Sequence, residues 1–131
     1  MGVGRTLVFD LRKRRLVGQI HGLHSPTGIT LAPDRGRVFI SDPGDLLTRA
    51  WGDGALVVAD IRSLKILRRL PADGFPDGSA WVPTVQRLFV SNERGGIETV
   101  IGGQPLRSKS AFTSAAKPAT PPTMPTDSGC W

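Results

Sequence analysis

Residues 7–42 read LVFDLRKRRLVGQIHGLHSPTGITLAPDRGRVFISD, and residues 57–92 read VVADIRSLKILRRLPADGFPDGSAWVPTVQRLFVSN. The two stretches align without a gap, fifty positions apart. Val8/Val58, Asp10/Asp60, Arg12/Arg62, Pro26/Pro76, Gly28/Gly78, Pro33/Pro83, Arg37/Arg87, Phe39/Phe89 and Ser41/Ser91 are identical. Other pairs keep apolar against apolar, as in Leu11/Ile61, Ile20/Leu70 and Val38/Leu88. A fixed period of this size marks a solenoid, a propeller or an array.

Each copy holds four short apolar runs: 7–11, 16–20, 28–32 and 37–41 in the first, 56–60, 66–70, 78–82 and 87–91 in the second. The runs are rich in Val, Ile, Leu and Phe and are parted by Gly, Pro and Asp, which is strand punctuation. No longer stripe of helical period is present. Val38-Phe39-Ile40 is apolar without alternation, as in a strand covered on both faces. Four strands in a repeat of about 40–50 residues is the arithmetic of a propeller blade. The sequence therefore predicts an all-β chain of two four-stranded antiparallel sheets plus one extra strand, an incomplete propeller.

The repeat resembles the YVTN-type, or YncE-like, β-propeller family. The resemblance rests on Val8-Phe9-Asp10 and Val58-Ala59-Asp60, on Pro26-Thr27-Gly28-Ile29 and Pro76-Asp77-Gly78, and on Pro33-Asp34-Arg35-Gly36. Phe39-Ile40-Ser41-Asp42 and Phe89-Val90-Ser91-Asn92 stand where the family has Tyr-Val-Thr-Asn. It covers about residues 6–101 and implies a non-catalytic binding or interaction module whose ligand the sequence does not name. Related propellers include lactonases and haem- or quinone-dependent oxidoreductases, so the alternative is a fragment of such an enzyme, or a non-functional gene remnant. In those enzymes the catalytic residues come from several blades, which two blades do not supply.

A third repeat opens at 97–101 and stops at Gly102-Gly103-Gln104-Pro105. Residues 102–131, rich in Ser, Thr, Ala, Lys and Pro, read as a disordered tail. The domain reading is thus 1–101 for the partial propeller and 102–131 for the tail. The abrupt stop is read as truncation of a longer propeller. Two blades leave sheet faces open, so the expected partner is a protein or a second copy docked on them.

The chain carries 17 Lys and Arg against 11 Asp and Glu, a formal charge of +6. Its single cysteine, Cys130, excludes an internal disulfide. No stretch reaches the roughly 20 apolar residues of a membrane span, and the start, MGVGRTLVFD, has no signal-peptide core. As written the chain is expected in the cytoplasm, while a longer parent could be periplasmic or secreted.

In a meander, alternate connections share an end. The tight turns at 12–15, 33–36, 61–65 and 83–86 make one end net positive; the longer loops at 21–27, 42–55, 71–77 and 92–96 make the other net negative. Loops on a rigid scaffold carry binding residues. The candidate ligand or partner face is therefore Asp42, Asp45, Trp51, Asp53, Asp73, Asp77, Asn92 and Glu93. Arg12, Lys13, Arg14 and Arg15 are the candidate contact for nucleic acid or another polyanion. Asp42, Asp45 and Asp53 lack calcium-loop spacing, and His21 with His24 falls short of a zinc set. No cofactor, catalytic constellation or phosphate loop is expected.

Overall fold

The computed structural model describes residues 4–44, 54–72, 74–93, 97–102 and 107–113. The strands are β1 (Arg5–Asp10), β2 (Arg15–His21), β3 (Gly28–Ala32), β4 (Arg37–Asp42), β5 (Ala55–Asp60), β6 (Ile66–Pro71), β7 (Pro76–Val82), β8 (Arg87–Asn92), β9 (Ile97–Gly102) and β10 (Arg107–Thr113). A 3-10 turn, Pro33–Arg35, joins β3 to β4. The strand pairings are antiparallel. The sheets are β1-β2, β3-β4-β5-β6 and β7-β8-β9-β10, and none closes into a barrel.

Each apolar run is a strand, but the sheets are phased differently from the repeat. A copy of the repeat does not make one sheet. The first copy sends β1 and β2 to the two-stranded sheet and β3 and β4 to the next. β4 pairs with β5, the next strand in sequence, whereas the chain changes sheet between β2 and β3. The extra strand expected at 97–101 is β9, the third strand of its sheet. That sheet runs on past residue 101: β10 pairs with β9 from Arg107↔Gly102 to Thr113↔Ile97. The folded part is thus longer than expected, and residues 114–131 lie outside the described residues.

The period is repeated at the level of single hydrogen bonds. Asp10 Oδ1 accepts the backbone N–H of Arg12 and of Lys13, both at 2.9 Å. Asp60 Oδ1 accepts those of Arg62 and Ser63, at 2.9 and 2.8 Å. This is the Asx turn that makes aspartate a hairpin residue. Both hairpins then pass through a left-handed residue, Arg14 (φ 49) and Leu64 (φ 59). The next hairpins do the same at Gly36 (φ 61) and Gln86 (φ 52). Both outer strand pairs also shift register at one place, between Val8 and Phe9 and between Val58 and Ala59. The hairpin β1-β2 is therefore the counterpart of β5-β6, the outer half of a sheet.

The middle sheet is buried on both faces, which explains its unbroken apolar runs. Phe39, Leu56, Val58 and Leu70 point to one side and meet Leu88, Val90 and Ile101 of the last sheet. Val38, Ile40, Val57 and Ala59 point to the other and meet Ile20 and Leu23. Ile20 on β2 and Leu70 on β6 hold equivalent positions, each in the core between its own unit and the next.

The seam between β3 and β7 is closely packed. Phe39 and Trp81 stack, with ring centroids 5.9 Å apart and planes at 25°. Trp81 Nε1 donates to Asp34 Oδ1 at 2.9 Å. Thr30 Oγ1 donates to the Ser79 carbonyl at 2.8 Å, and Thr27 Oγ1 to that of Pro76 at 3.1 Å. A Cβ on Gly28 would overlap the Asp77 carbonyl oxygen, while Gly78 has nothing within 4 Å of a Cβ. Gly28→Ala is accordingly expected to lower stability by about 1–3 kcal/mol, the usual cost of overpacking. Gly78→Ala should be neutral or slightly stabilising, since alanine loses less entropy in a strand. Urea denaturation of the two variants checks this pair of opposite outcomes.

Candidate functional site

At the long-loop end, Asp42 is buried by its own chain. Its side chain is 1% exposed. Oδ1 accepts from Ser25 N at 2.9 Å and from His24 N at 3.1 Å, and Oδ2 accepts from His24 N at 3.0 Å. His24 Nδ1 and Arg69 Nη1 lie 3.4 and 3.5 Å from Oδ2. Arg69 also donates to the Gly22 carbonyl. Asp42 thus clamps the crossing from β2 to β3, the point where the chain changes sheet. Burial works against its charge, but the N–H groups of Ser25 and His24 outweigh it, and the carboxyl titrates below its ordinary value.

The equivalent residue in the second copy, Asn92, is also buried, and its Nδ2 donates to Thr99 Oγ1 at 3.0 Å. Both side chains are thus buried within the described chain. Asp77 and Glu93 are exposed; the Glu93 N–H donates to the Phe75 carbonyl at 2.9 Å. Asp45, Trp51, Asp53 and Asp73 lie outside the described residues. Among the described residues no group of three or more His, Cys, Asp or Glu is placed to hold a metal ion. No helix among them is long and apolar enough to cross a membrane.

The tight-turn end is cationic. Arg12, Lys13, Arg14 and Arg15 are exposed on the β1-β2 turn, as are Arg62 and Lys65 on the β5-β6 turn. The two turns are neighbours in the fold: Leu64 sits against Gly18 of β2. The carboxylates of this end are tied to the chain itself. Asp10 closes its Asx turn. Asp60 closes the other and pairs with Arg37 at 3.2 Å; the N–H groups of Ser63 and Arg62 lower its titration. Asp34 is partly desolvated, but its bonds from Gln86 and Trp81 outweigh that, so it too titrates low. The four cations of the first turn make no ion pair among the described residues.

A third feature lay outside the sequence expectations. A shallow cleft of about 250 Å³ is lined by Arg5, Thr6, Pro26, Thr27, Gly28 and Ile29. It opens between the start of β1 and the start of β3. Ile29 and Leu31, on the β3 face beside it, are 51% and 53% exposed. The signal in the sequence was the repeat itself: β1 stands at the position of β5, a strand that has β4 along its other edge.

No protein-family model matches the chain, and no curated protein matches it in sequence. Solved structures match its fold. A chain of hydrazine synthase from Kuenenia stuttgartiensis aligns with a TM-score of 0.71 at 13% identity, over 86% of this chain and 30% of that one. A chain of the dihydro-haem d1 dehydrogenase NirN aligns with a TM-score of 0.59 at 15% identity, over 84% of this chain and 23% of that one. This chain therefore spans less than a third of either. The likeness shows the fold: an incomplete, propeller-like all-β array.

The Asp42 clamp sets a pH dependence. Its folded pKa lies below the ordinary value of 3.8, so the ionised carboxylate stabilises the fold above that value. The contribution is lost as pH falls through the lower, folded pKa. Asp42→Asn is expected to cost about 1–3 kcal/mol at neutral pH, because buried donors lose a charged acceptor. The deficit relative to the unaltered protein should shrink as pH falls below 3.8. Denaturant midpoints of both proteins at neutral and acid pH measure it; a deficit unchanged at acid pH would refute the clamp.

Proposed function

We propose that this chain is a scaffold portion of a propeller enzyme of the haem-oxidoreductase kind, and that the catalytic groups lie outside it. The supporting observation is the fold likeness to hydrazine synthase and to a haem d1 dehydrogenase over most of this chain. The described residues bring no nucleophile, acid–base pair or metal set together, which suits a scaffold role. The finer identity is part of the same proposal: the two sheets are blades of the YVTN type. Phe39-Ile40-Ser41-Asp42 and Phe89-Val90-Ser91-Asn92 form β4 and β8, the inner-to-middle strands on which the family signature falls.

The DNA flanking the coding region, translated in all frames, is expected to contain further P-x-G and F-[IV]-S-[DN] segments at the same spacing, together with haem-ligating residues. Flanks without such segments would remove the enzyme reading.

A second reading rests on the cationic turns. With Asp10, Asp34 and Asp60 bonded within the chain, the charge of Arg12, Lys13, Arg14 and Arg15 is free to meet phosphate. Binding of a labelled DNA duplex should then weaken steeply with salt. Replacing the four by alanine should flatten that slope by roughly 0.9 for each phosphate no longer neutralised. An unchanged slope would exclude this turn as a polyanion contact.

A further inference from the structure

We infer that the cleft between β1 and β3 is the acceptor site for a β-hairpin of this same repeat, supplied from outside residues 1–131. Strand positions alone point to this site, independently of the enzyme reading. In the middle sheet β5 is paired on both sides, with β6 and with β4. Its counterpart β1 is paired with β2, and among the described residues no strand lies along its other edge. An unpaired edge on a sheet with a buried face recruits a strand.

The seam between β3 and β7 says which strand fits. There, Thr30 of β3 and Phe39 of β4 cover Ser79 and Trp81 of β7. One repeat earlier, Ser79 and Trp81 correspond to Ile29 and Leu31, which are half-exposed at the cleft. The fitting cover is thus a hairpin equivalent to β3-β4. Its second strand would continue the two-stranded sheet along the β1 edge. Its first strand would lie over Ile29 and Leu31, and the phenylalanine of its second strand would pack against Leu31. The register follows from β4 on β5, where Phe39 pairs with Val58, so the guest phenylalanine stands opposite Val8. A phenylalanine on Leu31 is an apolar contact like the one that Trp81 now makes.

The probe is a peptide of residues 26–42, PTGITLAPDRGRVFISD, added to the full chain. The expected result is saturable binding by fluorescence anisotropy, with backbone amides of Arg5–Asp10 exchanging roughly tenfold more slowly in its presence. Leu31→Glu in the chain should abolish both effects, because it places a charge where the guest phenylalanine would pack. Leu31 is half-exposed, so the variant should still fold. Val85→Glu, on an exposed turn away from the cleft, should leave binding intact. A peptide with Phe39→Ala should bind at least about tenfold more weakly. No protection of the β1 amides overturns the inference, as does binding indifferent to Leu31→Glu. A dimer that Leu31→Glu dissolves and the peptide leaves untouched would assign the cleft to a second copy, and would overturn it equally.

Discussion

The whole array turns on how closely β3 can approach β7. Gly28 lets the Asp77 carbonyl come where a side chain would stand. That approach brings Thr30 to Ser79 and sets Phe39 on Trp81. The aromatic pair contributes about 0.5–1.5 kcal/mol beyond its buried area. Its larger effect is geometric. Once the inner strands are seated, the outer ones fall into line, and Leu56, Val58 and Leu70 meet Leu88, Val90 and Ile101. Thr27, Thr30 and Trp81 are hydrogen-bonded across the seam, which limits the desolvation cost of those groups.

Strand positions were legible because they rest on local chemistry. Val-rich five-residue runs, Asx turns at Asp10 and Asp60, and the proline-glycine spacing mark them without tertiary information. The phase was not legible. A repeat is cyclic, and any of its four connections can be the one that leaves the sheet. The structure settles it through Asp42, which clamps residues 24 and 25 and so turns the chain out of its first sheet. In the sequence the same aspartate reads as a surface loop acid. Burial is a tertiary property, and nothing in Ser41-Asp42-Pro43 announces it.

The strand β10 is not legible in the sequence for a related reason. β5 follows β4 after residues 43–54, whereas β9 follows β8 after residues 93–96. The fifty-residue offset therefore fails beyond Asn92, and the repeat no longer points to the fourth strand. The segment RSKSAFT has little apolar alternation of its own. Its place in the sheet comes from pairing with β9, a long-range hydrogen-bonding decision rather than a local preference.

Exposure in this molecule belongs to position in the array rather than to residue type. Leu7, Phe9, Leu11 and Leu16 are exposed on the first hairpin. Their counterparts Val57 and Ala59 lie in the core that Ile20 and Leu23 cover, and Ile61 and Ile66, partly buried, pack against it. The side chains are as apolar in the first set as in the second, and the backbone beneath them follows the same turn and the same register shift. What differs is the presence of a neighbour. Full burial of a large apolar side chain is worth about 1.5–3 kcal/mol, and the first hairpin forgoes that gain at several positions at once. Repeat arrays draw their stability from interfaces between units as much as from the units. Among the described residues the middle sheet has two such interfaces, the last sheet and the first hairpin one each. Stability is therefore expected to fall from the middle sheet outward, with β1 and β2 held chiefly through Ile20 and Leu23.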